Sequence, residues 1–231
     1  MKKGLYILLI PLMFLCCGIT VPERIPTGTW KYLLKVNGTE VGNAIMTNTL
    51  EDGIYTYTTT LFMGNPVMSH TSIETIVETT DFTPVRLEKE ETTRQNGQEI
   101  KTSLVATFQG KTVTLKEDGH TTTIKLNEDF VLDGNYLTHA LIQKQYKPGA
   151  VVETQIYEPT IELRKTIPVK AEVTGIENIT GGGKRIETLH LRQSIGKVQS
   201  IDVYLDSTGV AAKVIIQMMN MTMEIIRDDI I

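Results

Sequence analysis

The sequence predicts a mainly β domain: a large curved antiparallel sheet, half-barrel or sandwich-like, with one short helix packed on it. Three observations carry this. Strand and turn recur about every 8–12 residues, as in sandwiches, barrels and large meanders, with turns at Asn37-Gly38, Asp52-Gly53, Asn96-Gly97 and Asp118-Gly119. Between the turns, branched and aromatic residues alternate with threonine, whose branched β-carbon favours strands. The one convincing helix signal lies in the stretch 127–163, between two long strand blocks, with no strand–helix alternation and no internal repeat.

In the first block, Thr29 to Val36 places Trp30, Tyr32, Leu34 and Val36 on one face, and Asn37-Gly38 is a strong hairpin signal. Val41 to Thr47 is the return strand. After Asp52-Gly53, Tyr55, Tyr57, Thr59, Leu61 and Met63 alternate with Thr56, Thr58 and Thr60. Gly64-Asn65-Pro66 breaks the run. Val67 to Thr79, Val85 to Thr93, Ile100 to Phe108, Thr112 to Leu115 and Thr121 to Leu126 are the next strands. The charged run Arg86, Glu88 to Glu91 and Arg94 reads as a solvated strand face or a charge-protected edge.

Asp133-Gly134-Asn135 opens the helix, with Asn135 as its N-cap. Tyr136 to Tyr146 carries Leu137, Ala140 and Leu141 at helical spacing, and Pro148-Gly149 stops it. Ala150 to Tyr157, Ile161 to Ile167, Val169 to Thr174, Ile186 to Gln193, Val198 to Leu205 and Val210 to Met219 are expected as strands. Asp206-Ser207-Thr208-Gly209 joins the last two. Met218, Met219, Met221 and Met223 cluster in the final strand. Methionine fills irregular cores and adapts to apolar ligands.

The amino terminus is set apart. Lys2 and Lys3 followed by apolar Leu5 to Leu15 make a secretory signal. Its roughly 17 Å rise as a helix falls short of the ~30 Å hydrocarbon core of a bilayer. The apolar run ends at Cys16-Cys17-Gly18, which resembles a bacterial lipobox in its relaxed form. The resemblance implies acyl chains such as palmitate on Cys17, with Cys16 as the alternative. Both cysteines of the chain sit here, so the mature body would have no thiol for a disulfide, a metal or a nucleophile. The expected organisation is a signal peptide with its lipidation site over 1–17, a tether over 18–27 and one β-rich domain over 28–231.

The 231 residues suffice for a sizeable core. The net charge of −4, without a basic stripe, argues against nucleic acid. No arrangement of residues specifies a reaction, so no enzyme, catalytic residue, metal or cofactor is expected. The 4 histidines His70, His120, His139 and His190 are far apart in the chain. His190 shares a strand face with Thr188 and Arg192, and nothing near it in sequence supplies a partner for proton transfer. Asp202 and Asp206 read as loop residues. Gly181-Gly182-Gly183 before Lys184 lacks the ending of a phosphate loop and reads as a hairpin.

Three stretches together carry a family resemblance. They are Gly28-Thr29-Trp30-Lys31-Tyr32 with Val36 to Gly42, then Tyr146-Lys147-Pro148-Gly149 with Tyr157-Glu158-Pro159-Thr160, then Val203 to Val210 around Asp206-Ser207-Thr208-Gly209. They resemble envelope β-domains of the DUF3108 type and those found N-terminal to bacterial transglutaminase-like cores. The resemblance implies a curved sheet similar to the half-barrels of lipoprotein carriers such as LolA and LolB, and brings no catalytic site. The expected function is a non-catalytic module anchored by lipid in the bacterial envelope, on the inner or outer membrane. It would bind a lipid or other apolar ligand, or a partner lipoprotein. Tyr136, Leu137 and Leu141 with Met218, Met219, Met221 and Met223 are expected to line the ligand site. The alternative is a structural or surface-exposed interaction protein with a closed core.

Overall fold

The computed structural model describes residues 22–231 except Pro66, Gly182, Lys197, Val198 and Met219, with only the backbone of Lys184, Gln199 and Met218. The expected signal peptide and both cysteines lie outside the described residues.

The chain folds as two meanders. The first runs β1 (Gly28–Val36), β2 (Thr39–Glu51), β3 (Ile54–Gly64), β4 (Met68–Thr79), β5 (Pro84–Gln95), β6 (Gln98–Gln109), β7 (Thr112–Glu117) and β8 (His120–Lys125). A linker carrying α1 (Tyr136–Gln143) follows. The second comprises β9 (Val151–Ile156), β10 (Ile167–Gly181), β11 (Lys184–Ile195), β12 (Gln199–Leu205), β13 (Ala211–Met218) and β14 (Met221–Arg227). The meanders join where β1 pairs with β14, giving one 14-stranded antiparallel sheet, open between β8 and β9. The linker narrows this gap: Val131 forms a parallel bridge to Ile156 at the edge.

Local chemistry explains the hairpins. Asn37, Asp52, Asn96 and Asp118 have φ of 48°, 50°, 52° and 44°, and each is followed by a glycine at positive φ. These are the left-handed pairs whose twist matches antiparallel strands. On the outer face, threonines meet across strands, as Thr58 with Thr75 at 3.2 Å between hydroxyls.

The core covers the concave face. Ile76, Leu87, Ala106, Val113 and Leu115 receive Leu126, Leu132 and Tyr157 from the segments flanking the gap. Leu141 and Tyr146 cover Val173, Leu189, Leu191 and Leu205 in the other half. Tyr32, Leu34, Ala44 and Ile225 bury the seam between the meanders.

Four expectations change. Of the stretch expected as a strand over 161–167, residues 161–166 are an irregular loop, and Ile167–Gly181 is one long strand with a register shift between Val173 and Gly175. The expected final strand over 210–219 is followed by another, so the methionines flank a hairpin: Met218 pairs with Met221. That hairpin lacks a glycine turn signal, so its apolar run reads as continuous. The Asp206 loop accordingly joins β12 to β13 rather than the last two strands. Finally, α1 ends at Gln143, before the proline, because Gln145 and Tyr146 turn left-handed at φ 53° and 46°. Bulky residues resist that conformation, but here it delivers the Tyr146 ring into the core.

Candidate functional site

The linker crosses the concave face and is pinned by a buried polar cluster. Gly134 allows close approach: a Cβ there would lie 2.8 Å from Glu78 Oε1. The Asn135 backbone N–H donates to Glu78 Oε1 at 2.7 Å. Asn135 does sit at the N-cap, but its side chain makes no cap bond. It meets Asn48 on β2 instead, donating at 3.3 Å and accepting at 2.8 Å. Asn48 Nδ2 also donates to the Pro26 carbonyl at 2.8 Å. Pro22 and Ile25 are buried, so residues 22–27, at the end of the expected tether, lie docked against the sheet.

These contacts enclose a cavity of about 340 Å³ between the linker and the concave face, within the range of small-ligand sites. Its apolar wall includes Leu137, Leu141, Leu191, Val203 and Leu205, and its aromatic wall Trp30, Tyr32 and Tyr57. Among the expected ligand-lining residues, Leu137 and Leu141 line this space. Tyr136, the first residue of α1, is not in that lining and stands edge-on to Phe82 with ring centroids 5.8 Å apart. Met223 packs against the Tyr32–Leu34–Ile225 seam, and Met221 is half-buried near the hairpin. Met219 and the side chain of Met218 lie outside the described residues.

One wall is acidic. Glu74 on β4 and Asp133 on the linker both line the cavity. Burial, then the charge of Glu158, pushes Glu74 up to about 7. The same two causes push Asp133 up to about 6. Asp133 lines the cavity while remaining exposed. Lys89, from the charged run on β5, points to the same side, 3.9 Å from Glu74 and 3.7 Å from Glu91. That strand lies inside the sheet and is not an edge.

Glu74 makes stability depend on pH. Unfolded, it titrates near 4.5; folded, near 7, so the folded state holds more protons between these values. Its contribution is full below about pH 4.5 and is lost as pH rises through about 7. The Glu74→Gln variant is therefore expected to flatten the fall in stability between about pH 5 and pH 8, by on the order of 2–3 kcal/mol. Urea denaturation across that range measures it, and an unchanged slope in the variant refutes it.

A second cluster lies on the outer face. His190 on β11, 4% exposed, has Nδ1 2.7 Å from Glu177 Oε1 and Nε2 2.8 Å from Asp202 Oδ1. Tyr204 stacks on its ring at 4.6 Å. The expectation that His190 lacks partners is thus corrected: they come from the neighbouring strands β10 and β12. Both ring nitrogens are engaged by protein carboxylates. The cluster pins three strands. Asp206 does play the expected loop role, accepting from the Thr208 and Val210 N–H groups at 2.8 and 3.2 Å. Among the described residues, no group of three or more His, Cys, Asp or Glu side chains is placed to hold a metal ion.

The sequence model of a family described as "Protein of unknown function (DUF3108)" matches residues 31–225. The chain belongs to the DUF3108 family. No curated protein matches this DUF3108 chain. In fold, it is similar to a crystal structure described as a beta-barrel-like protein of domain of unknown function DUF1849 from Brucella abortus. The TM-score is 0.66 at 11% identity, over 88% of this chain and 96% of that one. The turn motifs behind the DUF3108 resemblance have structural work. Val41 is the extra residue of a bulge that sets Gly42 opposite Leu34, and Gly149 turns into β9 at φ 82°. Sequence reading missed Glu74, Asp133, Asn48 and Asn135 as a cavity set. One signal was visible: Glu74 and Glu78 fall on the same strand face as apolar Ile76.

Proposed function

We propose that the chain is a lipid-anchored, non-catalytic module of a bacterial cell envelope that holds a lipid or other apolar ligand, or an acyl chain of a partner lipoprotein. The observation that carries this reading is the cavity between the linker and the concave face, with Leu137, Leu141 and Leu191 in its wall. Acyl chains on Cys17, or on Cys16, would give membrane attachment, since two chains anchor stably where one does not. The docking of residues 22–27 supports a role for the anchor beyond attachment. From Cys17 to Pro22 the backbone extends at most about 18 Å, and Pro26 lines the cavity. The ligand space would therefore be held close to the bilayer. Among the described residues, no helix is long and apolar enough to cross a membrane.

The chain has 1 tryptophan, Trp30, and it lines the cavity. Titration with a medium-chain alcohol is expected to shift Trp30 emission saturably, and native mass spectrometry of the purified protein to show retained lipid. No emission change with any apolar ligand would overturn the reading. Ile45, Phe62 and Ile73, exposed on neighbouring strands of the outer face, favour a second reading as a structural or interaction module. That reading requires ligand-independent Trp30 emission. Mass analysis of the mature N-terminus decides the anchor.

A further inference from the structure

We propose that the cavity selects an amphiphilic amine, with its ammonium group at the Glu74–Asp133 wall, its apolar chain against Leu141, Leu191 and Leu205, and a neutral hydrogen-bonding end toward Tyr146. This deepens the ligand-site reading and rests on it.

The acidic wall holds more carboxyls than cations. Around Glu74, the carboxyls of Glu91, Asp133 and Glu158 gather with a single cation, Lys89. Lys89 also serves Glu91 and the Thr160 hydroxyl, and its 3.9 Å separation from Glu74 is too long for a hydrogen bond. Asp133 has neither a hydrogen bond nor an ion pair among the described residues. A ligand ammonium brings three N–H donors and a positive charge, and so matches this wall. An anionic head is repelled by it, and a neutral head leaves the carboxylates without a counter-charge. Tyr57 lines the same cavity.

An independent observation points to a ligand. Tyr146 is 2% exposed and lines the same cavity, yet its hydroxyl has no hydrogen-bond partner. Buried hydroxyls are nearly always bonded. The chain adopts a left-handed turn at Tyr146, φ 46°, to place this ring. A neutral polar end on the ligand would satisfy it.

The acids make binding pH-dependent. Glu74 and Asp133, raised to about 7 and about 6, must ionise to hold a cation. Amine binding therefore releases protons and tightens as pH rises through those values, while alkylamines remain protonated. The groups facing the pair are Tyr57 on β3, Lys89 and Glu91 on β5, and Glu158 beyond β9. Among these, Lys89 is the positive one.

The test uses Trp30 emission and calorimetry on the mature protein with octylamine, 8-aminooctan-1-ol, octan-1-ol and octanoate. Octylamine is expected to bind about tenfold tighter than octan-1-ol at pH 8, and octanoate weakest, a tenfold ratio corresponding to one strong charge-assisted contact. Amine affinity is expected to rise from about pH 5 to about pH 8, with proton release shown by buffers of different ionisation enthalpy. Glu74→Gln and Asp133→Asn are each expected to weaken octylamine severalfold more than they weaken octan-1-ol. Tyr146→Phe is expected to remove the preference for 8-aminooctan-1-ol over octylamine. Equal, pH-independent binding of amine and alcohol overturns the amine proposal and leaves the apolar site standing. If none of the four ligands binds, the cavity reading falls with it.

Discussion

Gly42→Ala is expected to break the sheet near its centre, at a cost of about 4 kcal/mol or more, above the ordinary range for point substitutions. A Cβ at Gly42 would lie 1.9 Å from the Phe62 carbonyl oxygen and 2.9 Å from the Met63 Cα. Those atoms are backbone of the paired strand β3, so no side-chain rotation relieves the collision. The ladder must part or the register must slip. A one-residue slip would turn Ala44 and Asn48 from the concave face to solvent. It would also uncover Leu34, fully buried opposite Gly42. Gly53→Ala is the control. Its Cβ meets nothing within 4 Å, but its φ of 78° strains any side chain, so about 1 kcal/mol is expected. Urea denaturation of both variants measures the difference. A Gly42→Ala protein as stable as the Gly53→Ala control overturns the account.

Asn48→Ala is expected to cost about 2–4 kcal/mol, the range for leaving buried polar groups without partners. Asn48 joins three parts of the chain distant in sequence. It stands on β2, bonds Asn135 at the start of α1, and holds the carbonyl of Pro26. Truncation leaves the buried Asn135 amide and the Pro26 carbonyl unpaired. Two readouts beyond stability follow. The Arg24-Ile25 bond is expected to become sensitive to trypsin as residues 22–27 lose their dock. Trp30 emission is expected to shift red as the cavity opens to water. The double variant with Asn135→Ala should cost clearly less than the sum of the single ones, because each removes the same pair of bonds. Additive costs would show that the two amides do not act together.

The strand content was written locally. The Asn-Gly and Asp-Gly pairs at 37–38, 52–53, 96–97 and 118–119 became left-handed turns, because such a pair tolerates positive φ; Asp133-Gly134, in the linker, did not. Alternation of Tyr55, Tyr57 and Leu61 with threonine marked β3 for the same reason. The places where reading failed lack a local signal. The β13–β14 turn at Asn220 contains no glycine, and the loop around Ile161 carries a strand-like composition. The site was less legible still. Glu74 looked like one of many strand carboxylates, and Asp133 like a turn residue before a helix. They meet because the linker must pass from the β8 edge to the β9 edge across the concave face, a path that no spacing between Glu74 and Asp133 encodes.

The sequence by itself determined an all-antiparallel β domain with one helix, because turn chemistry and two-residue alternation act over a few neighbours. It also marked the lipobox-like cysteines, which are read from the chain as a linear pattern. Only the tertiary structure decided that β1 pairs with β14, that the linker spans the concavity, and that Glu74, Asp133 and Tyr146 line one cavity. Those relations join residues tens to nearly two hundred positions apart. They are settled by which faces bury together and by which buried polar groups find a partner, and local propensity carries no record of either.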